Sequence, residues 1–193
     1  MPLVTDKSGK KFGKTEGNAY WLDKEKTSSY EIYQYLLNSE DEMVIDYLKI
    51  FTFLTPEEIM EIEKKHKEVP EQRIAQKTLA KEVITFLHGT GEFEKALKIS
   101  EVLFSGKVKS LTKEEILEGF KDVPNFETEN EINIIDMLVN NKITSSKREA
   151  REFVNAGSIT INEEKITDEN YIITKDLAIE KEVLVVKRGK KKY

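Results

Sequence analysis

The sequence predicts a mainly α-helical bundle followed by a small α+β domain, in which two helices pack on a small β-sheet. Three observations predict it. Ser28, Thr55 and Thr112 each precede a Glu at the third following position, the signature of a capped helix start. Apolar residues recur at three- and four-residue spacing through 28–121, whereas beyond Gly157 they alternate with polar ones.

The elements follow in order. In the boxes Ser28–Glu31, Thr55–Glu58 and Thr112–Glu115 the hydroxyl and the carboxylate satisfy one another's free backbone N–H groups. Pro56 takes the favoured first-turn position, and Leu111 is placed to staple onto Ile116. Ala75, Leu79, Val83 and Leu87 make one apolar face, and Phe93, Ala96, Leu97 and Leu103 another, so 28–121 reads as five or six short helices. His88, just before Gly89, falls at a helix C-terminus, where imidazole complements the dipole, and has a structural role. Tyr30, Tyr33, Tyr35, Tyr47, Phe51 and Phe53 are expected to pack between helices, with Trp21 as an anchor where the N-terminal segment meets the bundle. Residues 123–131 have neither period and read as a linker. Helices are then expected over 133–140 and 146–156, with Gly157 as the C-terminal glycine, and strands over 158–161, 171–173 and 183–187, the first followed by a turn at 162–164.

Composition narrows the chemistry. The 193 residues include no Cys and two His distant in sequence, which excludes disulfides, thiolate zinc and thiol nucleophiles and makes a His-based metal site improbable. Apolar runs are short and the first 15 residues carry four Lys, so neither a membrane span nor an export signal is expected, and a cytoplasmic setting is. The net charge of −5 is unevenly spread: residues 31–131 hold 13 Lys+Arg against 22 Asp+Glu, while 132–193 hold 12 against 10. A basic end on an acidic chain points to a polyanion met by particular elements.

Two constellations carry chemistry. Lys11, Phe12, Gly13, Lys14 and Thr15 end like a phosphate-binding P-loop, but only three residues separate Gly9 from Gly13 where that motif needs four. What remains is a glycine-hinged loop with two lysines and a hydroxyl, suited to a triphosphate. The second is Lys142, Ser146, Lys147, Arg148 and Arg151, with Lys165 and the C-terminal Lys187, Arg188, Lys190, Lys191 and Lys192. Lys147 and Arg151 are one helical turn apart, and Ser146 can cap their helix, so N–H donors and cations meet at one helix start. Together they form an electrostatic footprint for RNA.

The run KFGKTEGNAYWLDKEKTSSYEIYQYLLNSEDEMVIDYLKIFTFL (Lys11–Leu54) resembles bacterial tyrosyl-tRNA synthetases, from the class I lysine-containing signature into the helical anticodon-binding domain. The resemblance continues through AQKTLAKEVITFLHG (Ala75–Gly89), EVLFSG (Glu101–Gly106) and GFKDVP (Gly119–Pro124). SSKREAREFVNAGSITIN (Ser145–Asn162) resembles the ribosomal-protein-S-four-like RNA-binding domain that ends these enzymes. The resemblance implies four parts: a signature segment at 1–27, an anticodon-binding domain at 28–122, the linker at 123–131 and the RNA-binding domain at 132–193.

It further implies that Lys11, Lys14 and Thr15 stabilise the transition state of tyrosine activation, with Gly13 and Lys14 at the ATP, whose magnesium would accompany it. Ser146, Lys147, Arg148 and Arg151 match the RNA-facing helix, and Asn162–Glu163 stands where the family often has Asn-Gly. The implied partner is tRNA(Tyr), with no membrane partner. The family's nucleotide-binding sheet and its HIGH-type motif would precede Lys11, and ten residues cannot build them. The expectation is therefore a C-terminal part of such an enzyme that binds tRNA, holds no ATP of its own, does not activate tyrosine alone, and is monomeric because the family dimerises through the preceding domain. A free-standing RNA-binding module without catalysis is the alternative.

Overall fold

The structure, a computed structural model, describes residues 3–5, 9, 11–13, 19–128, 131–189 and 193. The chain forms two compact units, 1–100 and 101–193.

The first unit holds α1 (Ser29–Leu37), α2 (Val44–Phe51), α3 (Pro56–Glu68), α4 (Ile74–His88) and most of α5 (Thr90–Ser105). The capping boxes at Ser28 and Thr55 are closed on both sides: Glu31 N donates to Ser28 Oγ at 3.2 Å, and Ser28 N to Glu31 Oε2 at 2.8 Å. Helix α4 is central, packing against α1, α2 and α3 with Ala75, Leu79, Ala80 and Ile84 fully buried. Burying such side chains contributes roughly 1.5–3 kcal/mol each for the larger ones, which is what holds these short helices together. His88 ends α4 as expected: its Nε2 donates to the Leu22 carbonyl at 2.8 Å, leaving Nδ1 to accept from Ser29 Oγ at 2.8 Å.

Two aromatic expectations are corrected. Phe53 follows the end of α2, where Thr52 turns the chain into an extended conformation, and it lies 84% exposed against an exposed Phe86 with ring centroids 5.3 Å apart. Trp21 is also exposed, Lys26 covering its ring at 4.4 Å, so it is not a buried anchor.

The second unit contains α6 (Lys113–Gly119), β1 (Glu131–Asn133), α7 (Ile134–Asn140), α8 (Lys147–Asn155), β2 (Ile159–Ile161), β3 (Glu164–Ile166), β4 (Ile172–Thr174) and β5 (Val186–Arg188). The Thr112 box caps α6, and both Leu111 and Ile116 are buried. The strands form two antiparallel ladders: β1 with β4, and β3–β2–β5 with β2 central. Helices α7 and α8 share one core with them, in which Leu138, Ala150, Val154 and Ile159 are fully buried. Strand β1 begins at the last residue of the expected linker, and β3 begins where the expected turn ends; three-residue strands carry too little alternation to read. Lys109 and Lys113, grouped by sequence with the helices before them, bond Glu163, Glu164, Glu180 and Glu182.

Candidate nucleic-acid interface

Ser146 caps α8 as its spacing predicts, accepting from Glu149 N at 3.2 Å. Glu149 reaches back to Ser145, accepting from both its N and its Oγ at 2.6 Å, and those bonds, the hydroxyl's foremost, hold its carboxyl below the usual carboxylate range. The helix start is thereby rigid. Beyond it, Lys147, Arg148 and Arg151 are all exposed, and each faces a carboxylate: Lys147 meets Asp136 at 2.6 Å, Arg148 meets Glu152 at 3.1 Å, and Arg151 meets Glu169 at 3.5 Å. Exposed pairs contribute at most about 1 kcal/mol each, so a phosphate can replace these carboxylates at small cost. Lys142, just upstream, is exposed and left-handed at φ 56°.

The sheet separates the other cations. Lys165 of β3 and Lys187 of β5 both stand opposite Thr160 of β2, on the face away from buried Ile159 and Ile161. A Cβ at Gly157 would fall 1.9 Å from Lys165 Cε, so the lysine stem lies across the glycine that ends α8. Lys187 Nζ stands 4.8 Å over the Tyr193 ring. Arg188, one position on, pairs with Ile159 on the core face; its guanidinium donates to the Ile143 carbonyl and lies 5.5 Å over Phe153. Adjacent strand residues point to opposite faces, so Lys187 and Arg188 cannot serve one surface. Lys190, Lys191 and Lys192 lie outside the described residues.

Asn162 is also turned inward, being 4% exposed. Its Nδ2 donates to the Leu177 carbonyl at 2.8 Å and its Oδ1 accepts from Val185 N at 2.8 Å, so both amide atoms are engaged within the domain. With Glu163 it makes the two-residue β2–β3 turn, both residues left-handed at φ 45° and 73°. Glycine is favoured at the second position; the glutamate there uses its carboxylate to accept from Lys109 N at 2.8 Å, while Glu164 pairs with Lys109 Nζ at 2.5 Å. Glu163→Gly relieves a left-handed cost of about 1 kcal/mol and removes a bond of similar worth. Its expected result is a stability change under about 1 kcal/mol with a clear rise in Lys109 amide exchange, read by NMR; undiminished protection of that amide would count against the contact.

In the first unit the N-terminal signature is partly described. Lys11 is exposed and its backbone bridges to Thr5. Gly13 is left-handed at φ 78° with open space where a Cβ would stand, and its N–H donates to Tyr35 Oη at 2.8 Å. Lys14 and Thr15 lie outside the described residues. Among the described residues no His, Asp and Glu cluster is arranged to hold a metal ion, and no helix is long and apolar enough to cross a membrane.

Residues 1–105 match the family described as tRNA synthetases class I (W and Y), and residues 115–193 match the tyrosine–tRNA ligase SYY-like C-terminal domain. A tyrosine–tRNA ligase of Streptococcus uberis is 52% identical across the whole chain, which covers 47% of that protein. One of Bacillus pumilus is 51% identical, again across the whole chain and over 46% of the relative. A solved C-terminally truncated mitochondrial tyrosyl-tRNA synthetase of Aspergillus nidulans is 40% identical over 45% of this chain and 26% of its own, with a TM-score of 0.44. The chain thus spans about half the length of the curated relatives it matches, and it matches their C-terminal part.

Proposed function

Because this chain belongs to the tyrosyl-tRNA synthetase family of class I, we propose that it is the tRNA-gripping half of a ligase that activates tyrosine with ATP and transfers it to tRNA(Tyr). The observation that carries this is the capped start of α8, where Lys147, Arg148 and Arg151 are exposed and paired with surface carboxylates. Lys142, Ser146 and those three cations form the primary RNA contact, and Lys165 and Lys187 supply a second set on the face of the sheet opposite the core. Lys190 and Lys191 extend that set in sequence. For Asn162, whose amide bonds the Leu177 carbonyl and Val185 N, and for Arg188, one guanidinium nitrogen of which donates to the Ile143 carbonyl, we propose a role inside the domain.

At the other end, Lys11 serves the ATP-dependent step together with Lys14 and Thr15. An exposed ammonium beside a glycine with open space suits a phosphate that approaches the backbone closely. ATP, with its magnesium, is a substrate of the whole enzyme; this chain's residues would bind and stabilise the charge that develops as pyrophosphate departs. The domain division at 28–122 and 132–193, the cytoplasmic setting and the monomeric state of this chain in isolation belong to the same proposal.

The test is binding of this chain to a bacterial tyrosine tRNA and to a tRNA lacking the long variable arm, across a salt series. Tighter binding of the tyrosine tRNA is expected. Equal, weak binding of both would reduce the domain to an electrostatic handle and favour a general RNA-binding module.

A further inference from the structure

Two tyrosines of the helical unit reach out of the bundle to the N-terminal segment and hold it on both sides of Lys11. From α2, the buried Tyr47 donates its hydroxyl to the Thr5 carbonyl at 3.0 Å. From α1, Tyr35 accepts from Gly13 N at 2.8 Å. Between these two anchor points the backbone is paired with itself: Phe12 N donates to the Val4 carbonyl at 3.0 Å, and Thr5 bridges to Lys11. The Phe12 ring then fills a nest made by Tyr47, Phe51 and Tyr35, with centroids 4.6, 4.7 and 5.2 Å away. Tyr20 stacks on Tyr35 at 4.3 Å and donates its N–H to the Gly13 carbonyl at 3.0 Å.

A helical bundle gains little stability by spending two tyrosine hydroxyls on a short N-terminal segment, since ring packing alone would bury the apolar area. Both hydroxyls fix backbone, and the backbone they fix carries a lysine whose ammonium is exposed. An ammonium on a flexible stem acts well on developing charge only when its Cα is held, because electrostatic stabilisation depends on groups placed in advance. We infer that Tyr35 and Tyr47 are positioning residues for tyrosine activation, their hydroxyls and the Phe12 nest fixing the backbone from which Lys11 acts. The inference rests on the reading of Lys11 as a residue of the ATP-dependent step.

Tyr→Phe substitution keeps each ring and deletes the hydroxyl that bonds the segment, so folding is preserved. In this 193-residue chain, Tyr35→Phe is expected to speed amide exchange at Gly13 by about 10-fold, leaving Leu48 and Ile84 in the core unchanged. In the full-length ligase, Tyr35→Phe with Tyr47→Phe is expected to lower kcat for ATP-dependent tyrosine activation by about 10-fold with KM for tyrosine unaltered. A purely structural role would move thermal stability and leave kcat alone. Unchanged Gly13 exchange, or unchanged kcat in the double variant, overturns the inference. Lys11→Ala in the same enzyme separates the two ideas. If it slows activation while the double Tyr variant does not, the positioning role is wrong and the function stands; if it activates at full rate, the function reading fails and this inference with it.

Discussion

Replacing Lys147, Arg148 and Arg151 together by Ala is expected to weaken tRNA binding by about 100- to 1,000-fold near 0.1 M salt, and to flatten the salt dependence. Each cation that neutralises a phosphate adds roughly 0.7–0.9 to the slope of log K against log salt, so the loss of three should lower it by about 2–3. Stability should hardly change. All three side chains are exposed and their partners Asp136, Glu152 and Glu169 are solvated, so no buried charge is stranded. Fluorescence anisotropy across a salt series, with a melting curve beside it, checks both halves. An unaltered slope in a folded variant would remove α8 from the interface and shift the burden to Lys165 and Lys187.

Asn162→Ala is expected to do the reverse, costing about 3 kcal/mol of stability while leaving the tRNA affinity of the folded protein intact. The Val185 N–H loses its acceptor inside a buried segment and the Leu177 carbonyl loses its donor. Each such loss costs about 1–3 kcal/mol, and Ala tolerates the left-handed conformation at φ 45° less well than Asn. Chemical denaturation followed by tRNA binding below the transition separates the effects. A stable variant with weakened tRNA binding at fixed salt would return Asn162 to the RNA contact set.

These two residue groups show where sequence reasoning reaches and where it stops. Lys147, Arg148 and Arg151 were legible because helical periodicity places them on an outer surface once Ala150 and Val154 are assigned to the core. Asn162 was not, since an Asn in a turn looks the same whether its amide meets solvent or reaches 15 and 23 residues along the chain, as it does here. The placement of Arg188 on the core side of the sheet was equally illegible. A run of basic residues reads as one patch, but strand alternation sends neighbours to opposite faces, and β5 becomes a strand only by pairing with β2.

What the sequence by itself determined is what local interactions control: the three capping boxes, the helix ends at Gly89 and Gly157, the apolar helix faces and the α8 cations. Those signals act over three or four residues, within reach of a single side chain. Only the tertiary structure decided the rest. It paired β1 with β4 across some forty residues, turned Phe53 and Phe86 outward, gave Glu163 its partner in Lys109, and set two tyrosine hydroxyls against the segment that carries Lys11. Each depends on groups distant in sequence, whose meeting is fixed by how the apolar faces of the whole chain pack and not by any local preference.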